Sequence, residues 1–219
     1  MDNEYTLAEQ AFLLCYNLDK QRMTRTDHVD YLVRAAALVE LYQGGQIEDR
    51  NGKAGPARGA SVRDQALAPV LDEIGQAPNK SWKHWVRHNA KATKRAVRAG
   101  LVDKRAVAVE QGRVLLVFPH TTTTVKDTRA VKQVRAKAKD ALRQPSAQVD
   151  PAGAALVALA AAVELGFVLD RRTRREHKAR IKQCMEIAGP AAAGLRKLIQ
   201  QRRSGAIAGA SAGATAGGS

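Results

Sequence analysis

One stretch does most to decide what this chain can fold into. Between Asp27 and Tyr42, the residues Val29, Leu32, Val33, Ala36, Leu38 and Val39 follow a helical period yet leave little of the helix polar. A helix apolar nearly all round belongs at the centre of a helical fold. Thr26 or Asp27 is placed to cap it, and Gly44-Gly45 stops it. A single cation interrupts the pattern: Arg34, between Val33 and Ala35-Ala36-Ala37. A guanidinium there is costly unless it is paired or aimed at an anionic ligand. An internal ion pair with Glu40, Asp30 or Asp27 is one reading. Recognition of a ligand phosphate, for which the planar guanidinium is suited, is the other.

The remaining elements arrange themselves around that helix. A first helix opens at a Thr6/Glu9 capping box and carries Leu7, Ala11, Leu14 and Leu18 on one stripe. Residues 46–60 read as a short extended piece and a Gly/Pro-rich loop, and a third helix covers about Val62–Ile74. A basic helix is expected over Ser81–Ala99, ended by Gly100. Ala106–Val109, a turn at Gln111-Gly112 and Val114–Phe118 then read as a β-hairpin. Helices over about 128–142, 151–169 and 172–201 complete a mainly α, single globular helical domain spanning residues 1–203. The last sixteen residues, 204–219, hold only Gly, Ala, Ser, Thr and Ile and read as a disordered tail.

Charge bears on partners rather than on fold. Lys and Arg number 36 against 21 Asp and Glu, a formal +15, so the partner expected is a polyanion: nucleic acid or an anionic lipid surface. Cys15 and Cys184 lie far apart within apolar patterns, which fits buried free thiols in a reducing cytoplasm and no disulfide framework. The Met-Asp-Asn-Glu start lacks the order of a signal peptide. The most apolar run, Ala152–Leu169, contains Glu164 and reads as a core helix rather than a membrane span. His84 and His88 share a helix face, but no Glu stands between them and cations surround them, so no metal site is expected. P-loop, dinucleotide-turn, nucleophile-elbow and kinase signatures are missing, and neither catalysis nor a cofactor is expected.

The cations cluster. Nine fall between Lys80 and Arg105 with Asp103 as the one acid, and Lys83, Arg87, Lys91, Lys94 and Arg98 share a face at continuous helical spacing. Trp82 and Trp85 lead that face, either as interfacial anchors or as core residues. Two further runs of seven cations each, Lys126–Arg143 and Arg171–Lys182, complete an extended positive face. Near an anionic leaflet each such cation contributes about 1 kcal/mol, so a few in register suffice for docking. The alternative is a nucleic-acid binder in which basic helix, Gly100 and hairpin form a winged helix.

The order of several segments resembles the Golgi phosphoprotein 3 family. Leu7–Asp19, Tyr31–Ile47, Asp72-Glu73, Val97-Arg-Ala-Gly-Leu-Val102 and Val114-Leu-Leu-Val-Phe-Pro119 follow the family's pattern over roughly residues 5–200. The resemblance implies a peripheral membrane domain that binds phosphatidylinositol 4-phosphate, tethers the tails of membrane enzymes and self-associates through its hairpin. By that resemblance, Arg34 falls on the family's headgroup arginine. Arg87 and Lys91 flank its two basic pocket positions, and Arg25 stands where the family has a tryptophan. The implied headgroup set is thus Arg34, Arg25, Arg87, Lys91 and Trp85, backed by Lys83, Lys94 and Arg98. Val114, Leu116 and Phe118 form the implied oligomerisation hairpin. An Ala/Arg/Gly-rich composition resembles that of a high-GC bacterium, which places the expected surface at the inner face of a bacterial membrane.

Overall fold

The computed structural model describes residues 5–24, 27–114, 118–145 and 148–215. Its centre is made by three helices that bury almost everything they carry: α1 (Leu7–Leu14), α2 (Val29–Gln43) and α7 (Pro151–Ala162). All three pack on one another. In α1 the capping box is complete: the Glu9 amide donates to Thr6 Oγ1 at 3.2 Å and the Thr6 amide to Glu9 Oε2 at 2.8 Å. In α2 the Ala35-Ala36-Ala37 run is fully buried, and such small side chains let neighbouring backbones come close. Asp150 caps α7 by accepting from the Gly153 amide at 3.0 Å, and Pro151 takes the first helical position, where its missing N–H costs nothing.

Amphipathic helices surround this centre. α5 (Ala90–Asp103) packs on α1 and α2, α6 (Thr128–Arg143) on α1 and α7, α9 (Lys178–Ala188) on α7, and α10 (Pro190–Thr215) on α2, α7 and α4 (Trp82–Arg87). The short α8 (Arg171–Glu176) precedes α9, and α3 (Ala68–Gln76) lies beside α2. Two close approaches depend on glycine. Gly189 has φ +77 between α9 and α10, and an added Cβ would sit 2.6 Å from the Tyr42 ring. Gly194 brings α10 onto α4, where a Cβ would meet the Trp82–Lys83 backbone at 3.1 Å.

The β-structure is peripheral. β1 (Tyr16–Asn17) pairs with β2 (Arg22–Met23), and β3 (Ile47–Arg50), β4 (Lys53–Pro56) and β5 (Lys80–Ser81) form an antiparallel sheet in that order. β6 (Val107–Val114) and β7 (Phe118–Val125) make a long hairpin in register from Val107↔Val125 to Val114↔Phe118. Its root is held tightly. The Ala106 carbonyl accepts from the amides of Lys126 (2.8 Å) and Asp127 (3.1 Å). Asp127 also caps α6 through the Ala130 amide at 3.0 Å and accepts from the Tyr5 hydroxyl at 3.0 Å.

A mainly α fold with a hairpin is what the periodicity predicts; several boundaries differ. The basic helix expected over 81–99 is two helices, broken at His88-Asn89, where Asn89 adopts a left-handed φ of 48. Asparagine tolerates that conformation better than most residues. Gly100 does not end α5; it lies within it, and an added Cβ would come 3.1 Å from Glu9 Oε1, so this glycine serves helix contact. The hairpin does not turn at Gln111-Gly112, which pair instead with Thr121 and His120. The run of β-branched threonines extends the ladder to the Val114↔Phe118 pair. Helix α7 stops at Ala162 rather than Leu169, with Glu164 at φ 54. The single helix expected over 172–201 is three, and α10 continues to Thr215, into the stretch read as a disordered tail. Alanine there has high helix propensity and no proline intervenes, while Gly205, Gly209 and Gly213 work against the helix.

Candidate functional site

Arg34 lies where α2, α3 and the α4–α5 corner meet. It is 1% exposed, and three nitrogens of its guanidinium group are engaged. Nε donates to the Trp85 carbonyl at 3.1 Å, Nη1 to Thr93 Oγ1 at 3.0 Å, and Nη2 to Glu73 Oε2 at 2.5 Å. Glu73 uses its other oxygen to accept from Asn89 Nδ2 at 2.8 Å. One arginine therefore ties four segments together, and the Glu73 bond to Asn89 fixes the left-handed corner. Burial pulls the Arg34 pKa below its ordinary value, while the Glu73 carboxylate opposes that shift. The group remains a cation, as arginine does in proteins.

The acids expected to pair with Arg34 are engaged elsewhere. Asp30 is ion-paired with Lys94. Asp27 is exposed and lies 3.1 Å from His28 Nε2. Glu40 turns to the start of α1, where it accepts from the Ala8 amide at 3.3 Å, and burial pushes its pKa up to about 7. Glu73, the partner found, is 39 residues from Arg34 in sequence. No helical spacing rule connects them, although the cost of an unpaired guanidinium required an acid from another element.

The other expected site residues divide into three groups. Trp85 is 1% exposed and Trp82 4%, so both tryptophans are core residues. Trp82 Nε1 donates to Asp49 Oδ1 at 2.5 Å, and Trp85 packs edge-on to His84 and His88, whose rings stack at 5.3 Å. His84 is depressed by partial burial first, then by the neighbouring His88, Lys80, Arg87 and Arg34. Lys83 and Lys94 are held internally, Lys83 by Gln201 Oε1 at 3.1 Å and Lys94 by Asp30. Arg87, Lys91 and Arg95 are exposed, and Arg98 half-exposed; none of the four has a hydrogen bond or ion pair among the described residues. The helix break means that Lys83 and Arg87 belong to one short helix and Lys91, Lys94 and Arg98 to the next. Arg25 and Leu116 lie outside the described residues, and Val114 and Phe118 form the last paired step of the hairpin.

Much of the remaining charge is structural as well. Arg135 donates to the Tyr16 carbonyl at 2.8 Å and lies over the Phe167 ring, Lys137 pairs with Asp150 at 2.9 Å, and Arg180 donates to the Ala141 carbonyl at 2.8 Å. Lys104 pairs with Glu9 at 2.6 Å. The extended positive face expected from three clusters is therefore a mixture of internal struts and free cations. Among the described residues, no three His, Cys, Asp or Glu side chains gather as a metal-holding group, and no helix is long and apolar enough to cross a membrane.

The fold and corner define a helical domain with an antiparallel hairpin, braced by a buried arginine at a corner that carries cations without an ion pair among the described residues. The Golgi phosphoprotein 3 (GPP34) family model matches residues 7–202, nearly the whole described chain, and the protein belongs to that family. A search of curated proteins gave no significant match.

Proposed function

We propose that this protein is a non-enzymatic, peripheral membrane domain that holds anionic phospholipid headgroups of the phosphatidylinositol 4-phosphate type. The observation that carries the reading is the cation rim at the α4–α5 corner: Arg87, Lys91 and Arg95 are exposed and have no ion pair among the described residues. Family membership supports it, and docking to a surface requires no spanning helix. In this reading the headgroup meets the rim, and Arg34 acts from behind by fixing the corner that presents it. Tethering of membrane enzymes and self-association through the β6–β7 hairpin belong to the same reading, on the strength of the family alone. The membrane face is then the cytoplasmic one.

Co-sedimentation with liposomes carrying phosphatidylinositol 4-phosphate, phosphatidylserine or neutral lipid alone, with duplex DNA as competitor at physiological salt, tests this. Binding to the two anionic liposomes and not to the neutral one is expected. The double variant Arg87→Glu, Lys91→Glu should lower partitioning by about tenfold or more, since each lost cation contributes about 1 kcal/mol. Duplex DNA that removes the protein from every liposome would overturn the lipid reading in favour of nucleic acid.

A further inference from the structure

A second basic feature lies away from the α4–α5 corner. The end of α7, with α9 and α10, encloses a cleft of about 560 Å³. That is within the range of pockets that take small ligands, about 300–1,000 Å³. Its apolar lining comes from Ala161, Ile181, Met185 and Ile199. Five cations and one acid, Glu164, line it as well, and the cations differ in how they are held. Arg203 is ion-paired with Glu164, and Lys182 lies 3.8 Å from Glu186 in an exposed pair. Arg174, Lys178 and Arg196 have no hydrogen bond or ion pair among the described residues, and the Arg174 Nε is itself buried without a partner. A buried donor left unmade costs about 1–3 kcal/mol, and Arg174 is one of the residues that line the cleft.

We infer that this cleft binds a single-chain lipid phosphate, with the phosphate held by Arg174, Lys178 and Arg196 and the alkyl chain against Ile181, Met185 and Ile199. Charge selects the head: three cations without an ion pair among the described residues favour a dianionic oxyanion, and arginine supplies paired donors of matching geometry. The apolar lining selects the chain, which inorganic phosphate lacks. The site goes beyond the proposed headgroup rim; none of its residues belongs to that rim, so each can fail without the other.

Calorimetric titration with dodecyl phosphate below its micellar concentration tests the inference. Saturable binding at one site per chain is expected, with inorganic phosphate at the same concentration failing to displace it. The triple variant Arg174→Gln, Lys178→Gln, Arg196→Gln should weaken binding by about tenfold or more. The control Arg171→Gln, Arg175→Gln, Lys197→Gln removes the same charge outside the cleft and should leave binding within about twofold. Met185→Trp, which fills the apolar lining, should abolish binding while liposome co-sedimentation through the corner is retained; it also decides the matter if the triple variant does not fold. Equal weakening in the control, equal competition by inorganic phosphate, or absence of saturation would each overturn the site.

Discussion

Arg34 and Arg174 are the same residue type in opposite circumstances. Arg34 is enclosed, with a carboxylate, a hydroxyl and a backbone carbonyl around its guanidinium. Arg174 is half-buried, with a buried Nε and no hydrogen-bond partner among the described residues. The first is architecture: its energy is spent holding α2, α3 and the α4–α5 corner in register. The second is available. A basic residue in an apolar setting therefore indicates a ligand only when its donors are left over, and position in a helix does not settle which case applies.

The sharpest way to break the comparison is Arg34→Ala. It leaves Glu73 without its cation and three segments without their tie, so a loss of about 3–5 kcal/mol in unfolding free energy is expected from denaturant titration. A variant that unfolds like the parent would return Arg34 to the role of a ligand residue. Glu73→Gln keeps the shape and a hydrogen-bonding carbonyl but removes the countercharge, and should cost about 1–3 kcal/mol. Circular dichroism melts comparing the two variants would show whether charge or geometry dominates the brace.

Glu40 gives a pH test of the same core. Its folded pKa of about 7 lies above the ordinary value of 4.5. Between those values the folded state keeps a proton that the unfolded chain has lost. The contribution of Glu40 to stability is thus greatest at the acid end of that window and falls as pH rises through it. The fall is at most about 1.4 kcal/mol per pH unit. Glu40→Gln should flatten that dependence, as read from unfolding midpoints across the window. The smallest effect is expected from Arg174→Gln, which breaks no hydrogen bond or ion pair among the described residues and should change stability by less than about 0.5 kcal/mol. A large destabilisation there would show that Arg174 is a strut after all.

How much of this was legible depended on the range of the cause. Local causes were readable: the Thr6/Glu9 box, the all-apolar α2, the Ala-rich core helix α7 and the presence of a hairpin all follow from spacing within a few residues. The α4–α5 break was not, because what fixes Asn89 in its left-handed turn is the Glu73 carboxylate from another helix. Gly100 misled for the same reason, since its purpose is a neighbour, Glu9, that the local pattern does not contain. At the site, the sequence pointed to Arg34 and to the need for an acid, and named the wrong acids. Proximity in the helix is a poor guide when the compensating charge arrives from a separate element. The α7–α9–α10 cleft was visible only as a run of cations, with nothing to separate Arg174 from Arg180, which is bonded to the Ala141 carbonyl.

The root of the β6–β7 hairpin has a mechanical consequence. Ala106 anchors both Lys126 and Asp127, and Asp127 holds the first turn of α6 and the Tyr5 hydroxyl at once. The residues between the ladder and the helices on either side, 104–106 and 126–127, each donate a backbone hydrogen bond. A force applied at the Val114↔Phe118 step meets a lever clamped at its base. Any deflection there is transmitted to α5, to α6 and to the entry of α1, rather than absorbed by a hinge.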